Sequence, residues 1–259
     1  MSTPTVLVHR DPQELAAAVA ARLLTRLVDV QSARGEASLV LTGGTIARQV
    51  LEAVRDSPAR GAVDWRRLDV WWGDERFLPS GDPERNETLA REALLAAVPL
   101  EEARVHPMPP SDGPDGDDPE AAAARYAAEL AASARPEDHG DAPTFDVTLL
   151  GVGPDGHIAS LFPGMPALYD DRTAVAVRGA PKPPPTRISL TLPVIQGSRE
   201  VWAVVAGEDK AGAVTMALSG AGTTQVPAAG ASGRDRTLWL LDRGAAGTLP
   251  ARLGRIASP

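Results

Sequence analysis

The chain has no cysteine and no long apolar segment. The absence of Cys among its 259 residues excludes disulfides, thiolate metal sites and a cysteine nucleophile, and it suits a reducing compartment. No apolar run reaches the roughly 18 residues needed to span a bilayer. Nothing at the N-terminus resembles a signal peptide. We therefore expect a soluble, cytoplasmic protein without a membrane partner.

Histidine and net positive charge are also scarce. The four histidines are scattered along the chain and show no metal-ligand spacing. Lys and Arg total 26 against 34 Asp and Glu, so the net charge is −8, and general binding of nucleic acid is not expected. An anionic ligand would have to be held by a local cluster of positive groups. The composition thus predicts a small-molecule partner and no bound metal.

Apolar runs and helical periodicities alternate along the chain, with no internal repeat and no linker that divides it. Strands are predicted over residues 6–8, 38–41, 69–72, 105–108, 145–150, 173–177, 187–192, 201–205 and 237–241. Helices are predicted from the cap Asp11 to just before Gly35, and over residues 46–54, 87–98, 119–134 and 211–218.

The segment LLGVGPDGHIASLFPG, residues 149–164, carries the densest chemistry. Its glycines follow a buried strand and allow the backbone to approach a ligand closely. It contains GxGxxG, but Pro163 and Gly164 would stop the long helix that a dinucleotide site requires. His157 can exchange a proton near neutral pH, and Asp155 can fix its tautomer. The alternative is an ordinary turn in which Asp155 caps a short helix and His157 faces solvent.

A second glycine turn, Thr42-Gly43-Gly44-Thr45, lies between a predicted strand and a helix. Exposed N–H groups at a helix N-terminus bind anions well. This arrangement predicts a phosphate site that includes Gly43, Gly44 and Thr45. A glycine pair in a plain strand-to-helix turn is the alternative.

Charged residues follow two further strands. Asp74, Glu75 and Arg76 follow the predicted strand 69–72 after a single glycine, Gly73, where charges are costly unless they are paired or used. An internal ion pair between an acid and an arginine of this loop is the simpler interpretation. Asn86 could cap the helix after it. Lys210 stands at the start of another helix, where the dipole disfavours a cation, so we expect a negative partner for it.

Taken together, six segments resemble the 6-phosphogluconolactonases. They are TGGT from Thr42, WWGDERFLP from Trp71, RNETLAREALL from Arg85, the 149–164 segment, PKPPPTRISLTLPVI from Pro181 and VVAGEDKAGAV from Val204. The resemblance covers nearly the whole chain and implies a single α/β domain over residues 1–259. In that fold a largely parallel, Rossmann-like sheet is flanked by helices. It also implies hydrolysis of 6-phosphogluconolactone in the oxidative pentose phosphate pathway without a cofactor.

Two other functions stay open. The related glucosamine-6-phosphate deaminases share the Asp-Gly-His loop but continue with Asn-Glu-Pro, where this chain has Leu161, Phe162 and Pro163. A phenyl ring cannot relay a proton, which favours the lactonase. The other alternative is a sugar-phosphate-binding regulator without catalytic activity on the same scaffold.

The residues combine with the resemblance into one hypothesis for the site. His157 acts as general base and then general acid, and Asp155 orients it. Backbone N–H groups of residues 151–156, including Gly153 and Gly156, are candidates to stabilise the oxyanion. Further residues are assigned to a phosphate site and to a contact with other groups of the substrate. Asp74 and Asn86 match positions of the family motifs, but no contact is assigned to them. The phosphate residues are Gly43, Gly44, Thr45, Arg187 and Lys210, and Arg76 binds anionic or hydroxyl groups. We expect a monomer or a small homo-oligomer.

Overall fold

The computed structural model describes residues 2–250, 253 and 255–256. Within these residues the chain forms eleven strands and six α-helices. The strands are β1 (Pro4–His9), β2 (Ala37–Leu41), β3 (Leu68–Trp72), β4 (Asp74–Arg76), β5 (Val105–His106), β6 (Val147–Leu150), β7 (Ala174–Val177), β8 (Arg187–Leu190), β9 (Glu200–Val205), β10 (Arg236–Asp242) and β11 (Arg255–Ile256). The helices are α1 (Pro12–Arg34), α2 (Thr45–Asp56), α3 (Asn86–Ala93), α4 (Pro119–Ser133), α5 (Leu192–Gly197) and α6 (Ala211–Leu218).

Eight strands form the central sheet, in the order β11-β1-β10-β9-β6-β2-β3-β5. Every pairing in it is parallel. Strands β6 and β9 are buried along their whole length, as expected for a parallel sheet covered on both faces. The predicted α/β fold with a largely parallel sheet is confirmed. No helix within the described residues is long and apolar enough to cross a membrane.

The helix N-termini differ in how their backbone N–H groups are satisfied. The Asp11 side chain accepts a hydrogen bond from the backbone N–H of Glu14 at 2.8 Å and so caps α1. Asp118 caps α4 in the same way. By contrast, α2 begins after Gly44 and has no side-chain cap. Its first N–H groups therefore stay available to a ligand.

A second, antiparallel sheet of three strands, in the order β4-β8-β7, was not predicted. We predicted a loop for residues 74–76, but they form β4 and pair with β8. Three consecutive charged residues give no apolar alternation, so the sequence pattern could not indicate a strand there. This sheet brings β8, and with it Arg187, next to Asp74.

The predicted helix over residues 87–98 is also corrected. The α-helix ends at Ala93, and a single 3₁₀ turn follows at Leu95–Ala97. Asn86 is not its cap, since it is the first helical residue and Arg85 holds the cap position. The buried carboxylate of Glu75 instead accepts hydrogen bonds from the first two N–H groups of the helix, those of Asn86 at 2.7 Å and Glu87 at 2.9 Å.

Candidate functional site

The carboxyl ends of β2, β6 and β9 open into a cleft of about 550 Å³ that the second sheet closes on one side. This volume lies in the usual range of small-molecule sites. Ten of the twelve predicted site residues line it: Gly43, Gly44, Thr45, Asp74, Arg76, Asn86, Gly153, His157, Arg187 and Lys210. The other two, Asp155 and Gly156, belong to the loop that carries His157. One edge of the sheet therefore collects residues from six separate segments.

His157 and Asp155 form a close pair. The Nδ1 atom of His157 lies 2.5 Å from Oδ1 of Asp155. Burial by itself would raise the pKa of Asp155, but the hydrogen bond and the charge of His157 outweigh it and lower that pKa to about 2. An ionised Asp155 keeps the proton of a neutral imidazole on Nδ1. The Nε2 atom makes no hydrogen bond within residues 2–250 and can accept a proton from the cleft side.

Glycine at position 153 lets the imidazole occupy this place. A Cβ there would lie 2.1 Å from both Nδ1 and Cε1 of His157, far inside contact distance. Gly156 has φ +83°, and a Cβ there would meet Val226 at 2.7 Å. No helix follows the loop before Pro166. The alternative in which Asp155 caps a short helix is therefore wrong.

The N–H groups of the loop glycines are already engaged. Gly153 donates to the carbonyl of His157 at 2.9 Å, and Gly156 donates to the carbonyl of Gly153 at 2.9 Å. Gly151 donates to Oγ1 of Thr42 at 3.4 Å. These bonds correct our assignment of these three glycine N–H groups as oxyanion donors, since the groups hold the loop in shape instead.

The buried ring of Phe162 lies beside the imidazole of His157. The two ring centroids are 4.5 Å apart and the planes are tilted by 36°. Phe162 is fully buried, so this neighbour offers no group that can exchange a proton. The contact limits solvent on the part of the imidazole that faces Phe162.

Asp74 is the centre of a buried polar cluster whose contacts the sequence did not reveal. Its Oδ2 accepts a hydrogen bond from Oγ of Ser160 at 2.7 Å and lies 4.0 Å from Nη1 of Arg187. The Asn86 amide donates to the Asp74 carbonyl at 2.9 Å. The ion pair expected within the loop of residues 74–79 thus forms with Arg187 of β8. Arg76 instead donates to the carbonyl of Glu84 at 2.5 Å.

Asn86 also fixes the glycine turn before α2. A Cβ on Gly43 would lie 1.9 Å from Oδ1 of Asn86, so only glycine permits this approach. Glu75 holds the backbone of Asn86 from the other side. Burial raises the pKa of Glu75 to about 7, although Arg85 and three backbone N–H groups favour its ionised form. The uncapped start of α2 is thereby held rigidly at the wall of the cleft.

Lys210 is one of the cationic side chains that line the cleft together with this turn. Lys210 immediately precedes α6 and forms an ion pair with Asp209, its neighbour in sequence. The negative partner that we expected is therefore provided at least in part by the chain itself. The turn before it is held by the buried Asp242, which accepts the N–H of Gly207 at 3.1 Å. Lys210 is therefore presented from a braced turn.

Sequence reasoning did not select all the residues that line the cleft. Lys182, Gln49 and Val152 also line it. Lys182 belongs to the segment PKPPPTRISL that carries the family resemblance, which was the available signal. Gln49 lies one turn into α2 and had no such signal. No group of three or more His, Asp or Glu side chains within the described residues is arranged to hold a metal ion.

The fold and this cleft define a protein of the α/β class that presents an imidazole and an uncapped helix N-terminus at one sheet edge. The sequence model described as glucosamine-6-phosphate isomerases/6-phosphogluconolactonase matches residues 10–239. The chain belongs to this family, which confirms the resemblance drawn from its motifs.

Similar proteins cover nearly the whole chain. A 6-phosphogluconolactonase of Streptomyces coelicolor is 62% identical over 252 residues, 97% of each chain. One of Mycobacterium tuberculosis is 50% identical over 248 residues, covering 95% of this chain and 99% of its own. Among solved structures, the 6-phosphogluconolactonase of Trypanosoma brucei superposes with a TM-score of 0.83 at 29% identity, covering 96% of this chain and 100% of its own.

Proposed function

We propose that this chain hydrolyses 6-phospho-D-glucono-1,5-lactone to 6-phospho-D-gluconate, the second step of the oxidative pentose phosphate pathway. The support from relatives is the name 6-phosphogluconolactonase at 62% and 50% identity over almost the full length. The observation that carries the chemistry is the Nε2 of His157, without a hydrogen-bond partner in the described residues, in a cleft that an uncapped helix N-terminus also lines.

The first chemical step needs a base for water. His157 Nε2 takes a proton from a water molecule while the water oxygen attacks the lactone carbonyl carbon. Asp155 stabilises the imidazolium that forms, because its carboxylate stays ionised at neutral pH. General base catalysis of this kind contributes about 10²- to 10⁴-fold to the rate.

The second step breaks the ring. The tetrahedral intermediate collapses, the bond between the carbonyl carbon and the ring oxygen breaks, and the imidazolium returns its proton to that oxygen. The product is an open-chain acid whose carboxyl group ionises in water. One imidazole therefore serves both steps and finishes neutral, ready for another cycle.

The phosphate of the substrate is assigned to the glycine turn before α2, which lines the cleft. The first N–H groups of α2, after Gly43 and Gly44, together with Thr45, bind phosphate oxygens at the positive end of the helix dipole. Lys210 and Arg187 supply the opposing charge. Arg76 binds hydroxyl or anionic groups, and Asp74 and Asn86 hold Arg187 and the glycine turn in place.

The deaminase is the second candidate, because the family includes both activities. Its chemistry requires an additional acid in the loop, and this chain has Leu161, Phe162 and Pro163 at the corresponding positions. Phe162 is buried against the imidazole. This position therefore favours hydrolysis of the lactone over release of ammonia.

Two assays with the full-length protein test the proposal. Freshly generated lactone, corrected for uncatalysed hydrolysis, should be turned over at about 1–10³ s⁻¹. Glucosamine 6-phosphate should release no ammonia above background. The opposite pattern would assign the chain to the deaminases, and binding of the lactone without turnover would support the regulator. Placement in the cytoplasm, a monomer or small homo-oligomer, and one domain over residues 1–259 are parts of the same proposal.

A further inference from the structure

The proline-rich loop of residues 179–185 forms one rim of the cleft and is tied to Arg187. The guanidinium donates Nε to the carbonyl of Pro184 at 3.1 Å and Nη2 to the carbonyls of Lys182 at 3.0 Å and Pro183 at 3.2 Å. Arg187 is only 7% exposed. A buried, rigid cation thus fixes the backbone of three consecutive loop residues.

This anchoring uses most of the donors of Arg187. Of its three nitrogens, Nε and Nη2 bind loop carbonyls, and only Nη1 faces Asp74, at 4.0 Å. One N–H fork cannot both bind carbonyls and grip phosphate with the same atoms. Most of the hydrogen-bond donors of Arg187 therefore hold the loop in place and are not available to a ligand.

Lys182 is the cationic residue of this loop. It is half-buried and lines the cleft. No carboxylate of the described residues lies within 4.0 Å of its ammonium group. The positive charge of Lys182 nevertheless acts on Asp209. The hydrogen bond from Lys210 lowers the pKa of the Asp209 carboxyl most, and the charge of Lys182 lowers it further. Lys182 and Lys210 thus approach the same end of the cleft from two different loops.

We propose that Lys182 is a further substrate-binding residue, whose ammonium binds the phosphate together with Lys210, and that Arg187 is also the positioning residue of Lys182. The inference rests on the proposed function and deepens it. A half-buried ammonium without a carboxylate partner is stabilised when an anion enters the cleft. Two lysines and a helix N-terminus would surround a dianion on several sides.

The test compares Lys182→Met with wild type on two substrates. With 6-phosphogluconolactone the Michaelis constant should rise about 10-fold, because one charge-assisted contact is lost, while kcat should change less than about 2-fold. With glucono-1,5-lactone, which has no phosphate, both constants should stay at their wild-type values. Inhibition by inorganic phosphate should weaken about 10-fold, and Lys182→Arg should restore most of the affinity.

Two further variants make the result specific. Arg178→Met removes an exposed cation just before the same loop, outside the cleft, and should change nothing. Arg187→Met should weaken phosphate binding, and adding Lys182→Met to it should cost much less than Lys182→Met costs in wild type, because the two residues act together.

The inference is overturned if Lys182→Met leaves phosphate inhibition and the Michaelis constant within about 2-fold of wild type. It is equally overturned if Lys182→Met raises the Michaelis constants for both lactones by the same factor, since the residue would then act on the loop and not on the phosphate. Inactivity of wild type toward the lactone would refute the proposed function alone. Phosphate binding by isothermal titration would still decide the role of Lys182 in that case.

Discussion

The two edges of the central sheet both carry a cavity with arginines and a histidine, yet they treat charge differently. The cavity at the amino edge measures about 350 Å³ and includes Arg34, Arg104, Arg135, Arg199 and His106. Each of these five cations has a carboxylate within 4.0 Å. At the carboxyl edge, His157, Arg187 and Lys210 also have a carboxylate partner. Lys182, however, has none among the described residues, and Arg76 binds a carbonyl.

The difference separates structural from functional charge. Where carboxylates match the cations, the charges balance without a ligand. The buried Asp146 illustrates this, since it accepts hydrogen bonds from Arg34 and the Ser38 backbone and lies 3.6 Å from Nε of Arg199. Where cations and helix N–H groups are left with few acceptors, a ligand completes the site. The composition of a cavity alone therefore does not identify a binding site, but the state of its hydrogen bonds does.

The largest effect is expected from removing the imidazole at the carboxyl edge. His157→Ala should lower kcat about 10³-fold, because both proton transfers lose their carrier. His106→Ala is the matched control at the amino edge and should keep kcat near wild type. Steady-state rates and circular dichroism of both variants check this. Turnover near wild type in His157→Ala would remove this residue from the mechanism.

The next effect concerns stability at the amino edge. Asp146→Ala should lower the free energy of unfolding by about 2 kcal/mol, since it leaves the Ser38 N–H and Arg34 without their acceptor and removes the ion-pair partner of Arg199. The arginines are partly exposed, so the cost stays below that of a fully buried pair. Urea unfolding measures it, and kcat should not change.

An exposed ion pair provides the control for this substitution. Asp56→Ala removes the partner of Arg55 on the surface, and its effect on the free energy of unfolding should be far smaller than that of Asp146→Ala, because solvent screens the exposed pair. Equal losses in the two variants would contradict the distinction between a buried structural network and a solvated pair.

The smallest effect is a pH dependence at the amino edge. Burial alone would lower the pKa of His106, but its hydrogen bonds with Asp69 and Glu129 raise it overall. A raised pKa in the folded state gives stability that is fully present below about pH 6.5 and is lost as pH rises through the folded pKa. The difference in unfolding free energy between wild type and His106→Gln should therefore be larger at pH 5.5 than at pH 8.5. A pH-independent difference would contradict this role for the ion pairs.

Much of the site could be predicted because its residues follow apolar runs directly. In a parallel sheet the carboxyl ends of strands meet at one edge, so the Thr42 turn, the 149–164 segment and Lys210 had to lie near each other. Helix boundaries followed from local chemistry, as with Asp11 and Gly35 at the two ends of α1. These features depend on residues that are close together in the sequence, so local sequence patterns are enough to predict them.

The rest depended on neighbours in space. Strand β4 consists of charged residues, and only its pairing with β8 makes it a strand. The contact between Asn86 and Gly43 joins residues 43 positions apart, and no local pattern indicates it. The three glycine N–H groups were wrongly assigned as oxyanion donors for a related reason, since glycines that bend a loop also form hydrogen bonds within it.

The missing side chain of Gly153, whose place the His157 imidazole occupies, has a consequence for altering this enzyme. A methyl group there must push the imidazole aside, and a displacement of about 1 Å at a reacting group costs about 100-fold in rate. Alanine at this position would therefore imitate loss of the general base while every functional group is still present. Libraries that aim to broaden lactone selectivity should leave residue 153 unvaried and vary other residues that line the cleft, for example Gln49.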